Sequence, residues 1–115
     1  MGDTGVIHIV QFQFKAGTSE SDKQNVAHEM LALKDRCLRP ETGEPYIRSF
    51  TGGKDNSPEG ASDGLEYAFV VEFENTEDRD YYVFKDPAHE TFKALGGPKF
   101  ERAVVVDYNK GVFYH

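Results

Sequence analysis

Two histidines can move a proton near neutral pH: His8, midway along the first strand-like run, and His89, in the helix-start motif Asp86-Pro87-Ala88-His89. An imidazole titrates near about 6.5, so two of them brought to one pocket can do acid/base chemistry. His89 stands three residues after Asp86. There its backbone amide is expected to take the cap hydrogen bond, while the positive helix end disfavours the imidazolium and leaves a neutral base. Tyr82 and Tyr67 are candidates for donating a hydrogen bond to a developing oxyanion. Plainer readings stand beside these. His8 shares a strand face with Val10 and Phe12 and fits a core histidine satisfied by a neighbouring hydroxyl or carbonyl. Asp-Pro-Ala-His is also a good helix start in its own right, and Tyr67 fits a core aromatic.

Other chemistries find less support. His89-Glu90 opens like a zinc-protease motif, but Lys93 stands where the second histidine is required. No close histidine, cysteine and carboxylate cluster sets a coordination geometry, so no metal and no other cofactor is expected. Gly52-Gly53 lacks the lysine-serine pair of a phosphate loop, and turn chemistry explains it. Cys37 falls on an apolar helical stripe and reads as a buried, inert thiol. His28 lies opposite that stripe and is expected in solvent, and His115 ends the chain and is expected to be disordered.

These side chains need a scaffold, and 115 residues allow one core, hence a single domain over residues 1–115. The chain carries 13 Lys plus Arg against 20 Asp plus Glu, a formal charge of −7 with no basic stripe. Nucleic acid and anionic membrane surfaces would repel it, so neither is an expected partner. The lone cysteine rules out an internal disulfide and suits a reducing compartment. Met1-Gly2-Asp3-Thr4-Gly5-Val6 lacks a secretion signal, and Val6 breaks the myristoylation pattern. No apolar run approaches the ~20 residues of a membrane span. A cytoplasmic protein is expected.

Val6 to Phe14 alternates, with Val6, His8, Val10, Phe12 and Phe14 on one face. Thr18-Ser19-Glu20-Ser21 supplies N-cap candidates, with Ser21 and Gln24 spaced for a capping box, ahead of a helical stripe of Val26, Met30, Leu33 and Cys37. A second strand fits residues 46–51, ending at Gly52-Gly53, and residues 54–64 read as a flexible loop. Residues 65–73 alternate as the clearest strand, with Tyr67, Phe69, Val71 and Phe73 on its bulky face. Asn75 or Thr76 caps a helix through Phe84; Asp86 and Pro87 then start another, ending near Gly96-Gly97-Pro98. Residues 102–113 form the last strand.

This order predicts a ferredoxin-like βαββαβ α+β fold, with helices on one face of an antiparallel sheet. Ile7, Ile9, Ala68, Val70 and Val105 are expected on the other face, as an apolar strip that a second subunit would cover.

Four stretches resemble the stress-responsive A/B barrel family: Ile7-His8-Ile9-Val10, Gly53-Lys54-Asp55-Asn56, Tyr67 to Phe73, and Asp86-Pro87-Ala88-His89-Glu90-Thr91-Phe92. Nearly the whole chain is covered. The resemblance implies a homodimeric α+β barrel. In a ring-closing member of the family, histidines corresponding to His8 and His89 belong to the active site. The tyrosine of that site stands six residues before the last motif histidine, which is Val83 here, and a one-residue insertion around Phe84-Lys85 would restore Tyr82 to the role. The family motif also often opens with a histidine where this chain has Asp86. The reading that results is a mainly apolar pocket between sheet and helices for a small hydrophobic or aromatic ligand, with Phe12, Tyr67, Phe69 and Phe92 as binding residues. It would work as a cofactor-independent polyketide cyclase or lyase, with His8, His89 and Tyr82 catalytic. The alternative is a non-catalytic stress-responsive structural or ligand-binding protein.

Overall fold

The computed structural model describes residues 5–114. Expectations for Met1 to Thr4 and for His115 lie outside the described residues. Strand β1 (Val6–Phe14) leads into helix α1 (Glu20–Arg36), then β2 (Ile47–Lys54), β3 (Tyr67–Phe73), α2 (Thr76–Phe84), α3 (Pro87–Gly96) and β4 (Phe100–Asn109). The helix starts follow from side chains that satisfy orphan amide groups. Asn75 accepts from the Asp78 amide at 2.8 Å, and Asp86 accepts from the Ala88 amide at 2.8 Å with Pro87 in the first helical turn. At α1 the cap is Ser19, one of the candidates in that run, which accepts from the Asp22 amide at 3.1 Å; the Ser21–Gln24 box does not cap the helix. Ser19 has the extended backbone a cap requires, whereas Ser21 already lies in the first turn. Cys37 caps the C-terminus of α1, its amide donating to the Leu33 carbonyl, and its side chain is buried.

The strands lie in the order β2-β3-β1-β4 with every neighbouring pair antiparallel, the ferredoxin-like arrangement. One sheet face carries Val6, His8, Val10, Phe12 and Phe14, opposite Phe73, Val71, Phe69 and Tyr67 of β3. This face meets the helices, and Val26, Met30 and Leu33 of α1 join its core. On β4, Ala103, Val105 and Asp107 stand opposite Phe12, Val10 and His8. Val105 therefore lies on the helix-facing side, not on the bare face as expected. Two-residue alternation from this register sends Val104, Val106 and Tyr108 to the bare face instead. That face also holds Ile7, Ile9 and Val70. Ile7 is buried, while Val70, Val106 and Tyr108 are exposed.

Several strand boundaries differ from expectation, β4 among them, which starts at Phe100 rather than at 102. Gly52 and Gly53 do not end β2 but lie within it. A Cβ at Gly52 would sit 2.2 Å from Cδ1 of Phe69, so the missing side chain is the space that ring occupies. β3 starts at Tyr67, because the Leu65 amide closes a turn onto the Ser62 carbonyl. β4 stops at Asn109, where the chain turns through Gly111 (φ 77°) and the Val112 amide donates to the Asn109 carbonyl. The loop at 54–64 is tied to β4 by Arg102, which reaches both the Asp63 carboxylate (3.2 Å) and the Asp63 carbonyl. Among the described residues, no helix is long and apolar enough to cross a membrane.

Candidate active site

A cavity of about 670 Å³ opens between the β1–β4 half of the sheet and helices α2 and α3. Its walls are mainly apolar: Val10, Phe12, Met30, Val83, Phe92, Phe100, Ala103 and Val105. It exists because β4 presents only Ala103 and Val105 opposite Phe12 and Val10, side chains too short to fill the space under α2 and α3. Phe100 stacks on Phe12 (centroids 4.0 Å apart, rings 9° from parallel). Phe84, 73% exposed, stands at the rim, and Arg79, Asp80, Lys93 and Asp107 supply the charged lining.

His8 and His89 both line this cavity, and the ring of Tyr82 lies against each. Tyr82 stacks on His89 at 3.9 Å and 12°, and meets His8 nearly edge-on at 5.8 Å. The Nδ1 atom of His89 lies 2.7 Å from the Tyr82 carbonyl oxygen. A carbonyl only accepts, so Nδ1 carries the proton and Nε2 holds the lone pair of the neutral ring. Nδ1 of His8 lies 2.7 Å from Oδ1 of Asp107, whose Oδ2 accepts from the Arg79 guanidinium at 2.8 Å. A carboxylate in this position fixes the tautomer and orientation of an imidazole.

The cavity wall holds His89 in its neutral form. Burial pulls its pKa below the ordinary histidine value; the Tyr82 carbonyl works against that, and Lys93 and His8 add to it. The expected cap on the His89 amide is not formed. Asp86 accepts from the Ala88 amide, one residue earlier, so desolvation is the leading cause of the depressed basicity. Burial pushes the Tyr82 phenol up, with Cys37 and Asp86 adding, which keeps it a protonated donor. The Tyr82 hydroxyl is buried and has no hydrogen-bond partner among the described residues.

Of the residues singled out from sequence, His8, His89, Tyr82, Phe12 and Phe92 come together here. Tyr67 and Phe69 do not line the cavity. Tyr67 packs edge-on to Phe14 at 5.2 Å, and Phe69 fills the core beside Gly52. Both sit on β3, on the side of β1 away from β4. Tyr82 stacks on His89 across the α2–α3 elbow, and Val83, the alternative by spacing, also lines the cavity. Asp107 and Arg79 were missed. A charged residue two positions beyond Val105, on the apolar face of the last strand, was the available signal for Asp107. Cys37 is buried with its pKa driven up by desolvation, and His28 is exposed on α1. Among the described residues, no group of three or more histidine, cysteine or carboxylate side chains is placed to hold a metal ion.

No curated protein matches the chain significantly. Solved structures do. A hydroxynitrile lyase from Passiflora edulis superposes with a TM-score of 0.79 at 21% identity, covering 98% of this chain and 99% of that one. A protein from Arabidopsis thaliana gives a TM-score of 0.79 at 24% identity, over 96% of this chain and 99% of its own. A protein of unknown function from Bacteroides fragilis, described as dimeric and ferredoxin-like, gives 0.68 at 23% identity, over 95% and 99%. The model of the Stress responsive A/B Barrel Domain matches residues 6–110, and the chain belongs to that family.

Proposed function

We propose that this protein is a cofactor-independent acid/base catalyst, a lyase or ring-closing enzyme acting on a small, mainly apolar carbonyl compound or carbonyl adduct. The observation that carries the reading is the pair of imidazoles flanking Tyr82 in one apolar cavity, each with Nδ1 committed to a fixed acceptor. Nε2 is then the atom each ring has left for a ligand. His89, with its basicity lowered by burial, is neutral at pH 7 and takes the proton. If the proton comes from carbon beside a carbonyl, the electron pair moves into an enolate. If it comes from the hydroxyl of an adduct, the carbonyl reforms as the carbon–carbon bond breaks, and His89 returns the proton to the departing carbanion. Either oxyanion can accept from the Tyr82 hydroxyl only once a shift of the ring uncovers it, since that hydroxyl is buried. His8 can join as a donor only when both of its nitrogens are protonated, because Nδ1–H already points to Asp107. Similarity to a protein named a hydroxynitrile lyase favours the lyase form.

The same reading makes the protein a homodimer, its two bare sheet faces packed together as an α+β barrel. Ile9, Val70, Val106 and Tyr108 would otherwise leave an apolar strip in water, and several structural neighbours are described as dimeric. Light scattering should give twice the chain mass. Val70→Glu should lower it toward the monomer by burying an unpaired charge; a monomeric wild type would remove the barrel.

A second reading, ligand binding without turnover, is favoured by the same two Nδ1 hydrogen bonds, since both histidines are structurally satisfied without a substrate. His89→Asn separates the two. Against a panel of hydroxynitriles and β-diketones, the variant should keep its melting temperature and lose about 10²–10⁴-fold in rate, the range for a general acid or base. Undiminished turnover removes His89 as the base. A collapsed melting temperature, in a protein whose wild type turns over nothing, supports the binding reading.

A further inference from the structure

The imidazole of His89 bridges two helices, because its own backbone belongs to α3 while its Nδ1 donates to Tyr82 on α2. The bridge holds only while the elbow between these helices keeps its angle. Asp86 is the pivot. Its amide donates to the Tyr81 carbonyl at 2.9 Å, one carboxylate oxygen accepts from the Ala88 amide, and the other accepts from the Tyr46 hydroxyl at 2.6 Å. Asp86 is 1% exposed, so none of these partners can be exchanged for bulk water without moving the chain.

Tyr46 comes from outside the helical hairpin. It stands just before β2, where Leu38 and Pro45 pair, and it packs against Phe73 (6.3 Å) and Tyr81 (5.7 Å). It is thus fastened to the sheet side of the core, and its hydroxyl donates to Asp86 across 40 residues of sequence, beside the Cys37 thiol, a weaker donor to the same carboxylate. We propose that Tyr46 and Asp86 are positioning residues for His89. Their hydrogen bond sets the α2–α3 elbow so that Nδ1 of His89 meets the Tyr82 carbonyl and Nε2 is left as the base. The inference rests on the reading of His89 as that base, although its geometry can be tested without a substrate.

The titratable and charged groups facing His89 are Tyr82 from α2, His8 from β1, and Glu90 and Lys93 from α3 itself. Those around Asp86 are Cys37, Tyr46, Tyr81 and Tyr82. Loss of the Tyr46 hydroxyl leaves the buried carboxylate with the weak Cys37 thiol as its side-chain donor, and the elbow relaxes to let water reach it. His89 then loses its carbonyl acceptor and part of its burial together. Asp86→Ser acts on the same joint, because a serine hydroxyl can still cap the Ala88 amide but leaves no second oxygen to hold Tyr46.

The test follows the histidine ring nitrogens of the full chain by NMR through a pH titration, in the wild type, Tyr46→Phe and Asp86→Ser. In the wild type His89 should be the Nδ1–H tautomer. In both variants it should become a mixture of tautomers, with its pKa rising toward about 6.5, the value of a solvated histidine. His8, held by Asp107 on another element, should keep its wild-type signals. A folded Tyr46→Phe with unchanged His89 tautomer and titration overturns the proposal. So does an equal movement of His8, which would mean general loosening. If Tyr46→Phe does not fold, Asp86→Ser decides by the same criteria. Absence of any acid/base turnover in the wild type would instead remove the catalytic reading, and would leave the titration result standing as a statement about the elbow.

Discussion

The helix-facing side of the sheet has two halves that solve the packing problem differently. Under α1, the β2–β3 half is filled: Phe69, Val71 and Phe73 are fully buried, and even the absent side chain of Gly52 is replaced by the Phe69 ring. Toward β4 the same face is hollow, with Val105 55% exposed and the cavity open beside Phe84, at the edge of the buried Val10 and Phe12 of β1. Burying a large apolar side chain stabilises by roughly 1.5–3 kcal/mol, and the hollow half forgoes part of that. The polar groups that need a defined place gather there: His8, Asp107, Arg79 and His89. Stability and the candidate chemistry are thus carried by opposite ends of one sheet face, and the two should respond separately to mutation.

Phe69→Ala should give the largest stability change. It removes a ring from the filled half and should cost about 3–5 kcal/mol in denaturant unfolding. Phe84→Ala, at the exposed rim of the hollow half, should stay within about 0.5 kcal/mol. Comparable losses from the two would break the contrast. Ala103→Phe sharpens it from the other side: the ring would enter the cavity, and the unfolding midpoint should hardly move. Uptake of an apolar dye such as anilinonaphthalene sulfonate should fall, and unchanged dye binding would mean that this cavity is not the binding volume.

The smallest effect is a pH limb. The folded-state pKa of His89 lies below its ordinary value of about 6.5, so between the two the unfolded chain binds more protons. Stability should therefore be complete above about pH 6.5 and decline as the pH falls toward the folded-state value. His89→Asn should flatten that limb, as measured by urea midpoints across the range. A steeper limb in the variant would contradict the burial of a neutral imidazole.

Much of the scaffold is legible in the residues themselves. Alternation along β1 and β3, the Asn75 and Asp86 caps and the Pro87 start all appear where side-chain chemistry demands them. The errors share one cause. Assigning Val105 to the bare face, ending β2 before Gly52-Gly53 and pairing Ser21 with Gln24 in a capping box were local choices among equivalent residues, and each was decided by a partner distant in sequence or by backbone geometry. For Val105 that partner is Val10, and for Gly52 it is Phe69.

The same division runs through the candidate site. By itself the sequence determined that His8 lies on the bulky face of the first strand and that His89 lies in the first turn of a capped helix, because period and capping are properties of neighbouring residues. Only the tertiary structure decided that Tyr82 stands against both rings while Tyr67 and Phe69 turn to the filled half. It alone supplied Asp107 with Arg79 as the anchor of His8, and the Tyr82 carbonyl as the acceptor for His89. The physical reason is that strand order and the α2–α3 elbow set which side chains meet across a cavity. Both are fixed by packing and hydrogen bonds between residues far apart in the chain, where no local pattern carries the information.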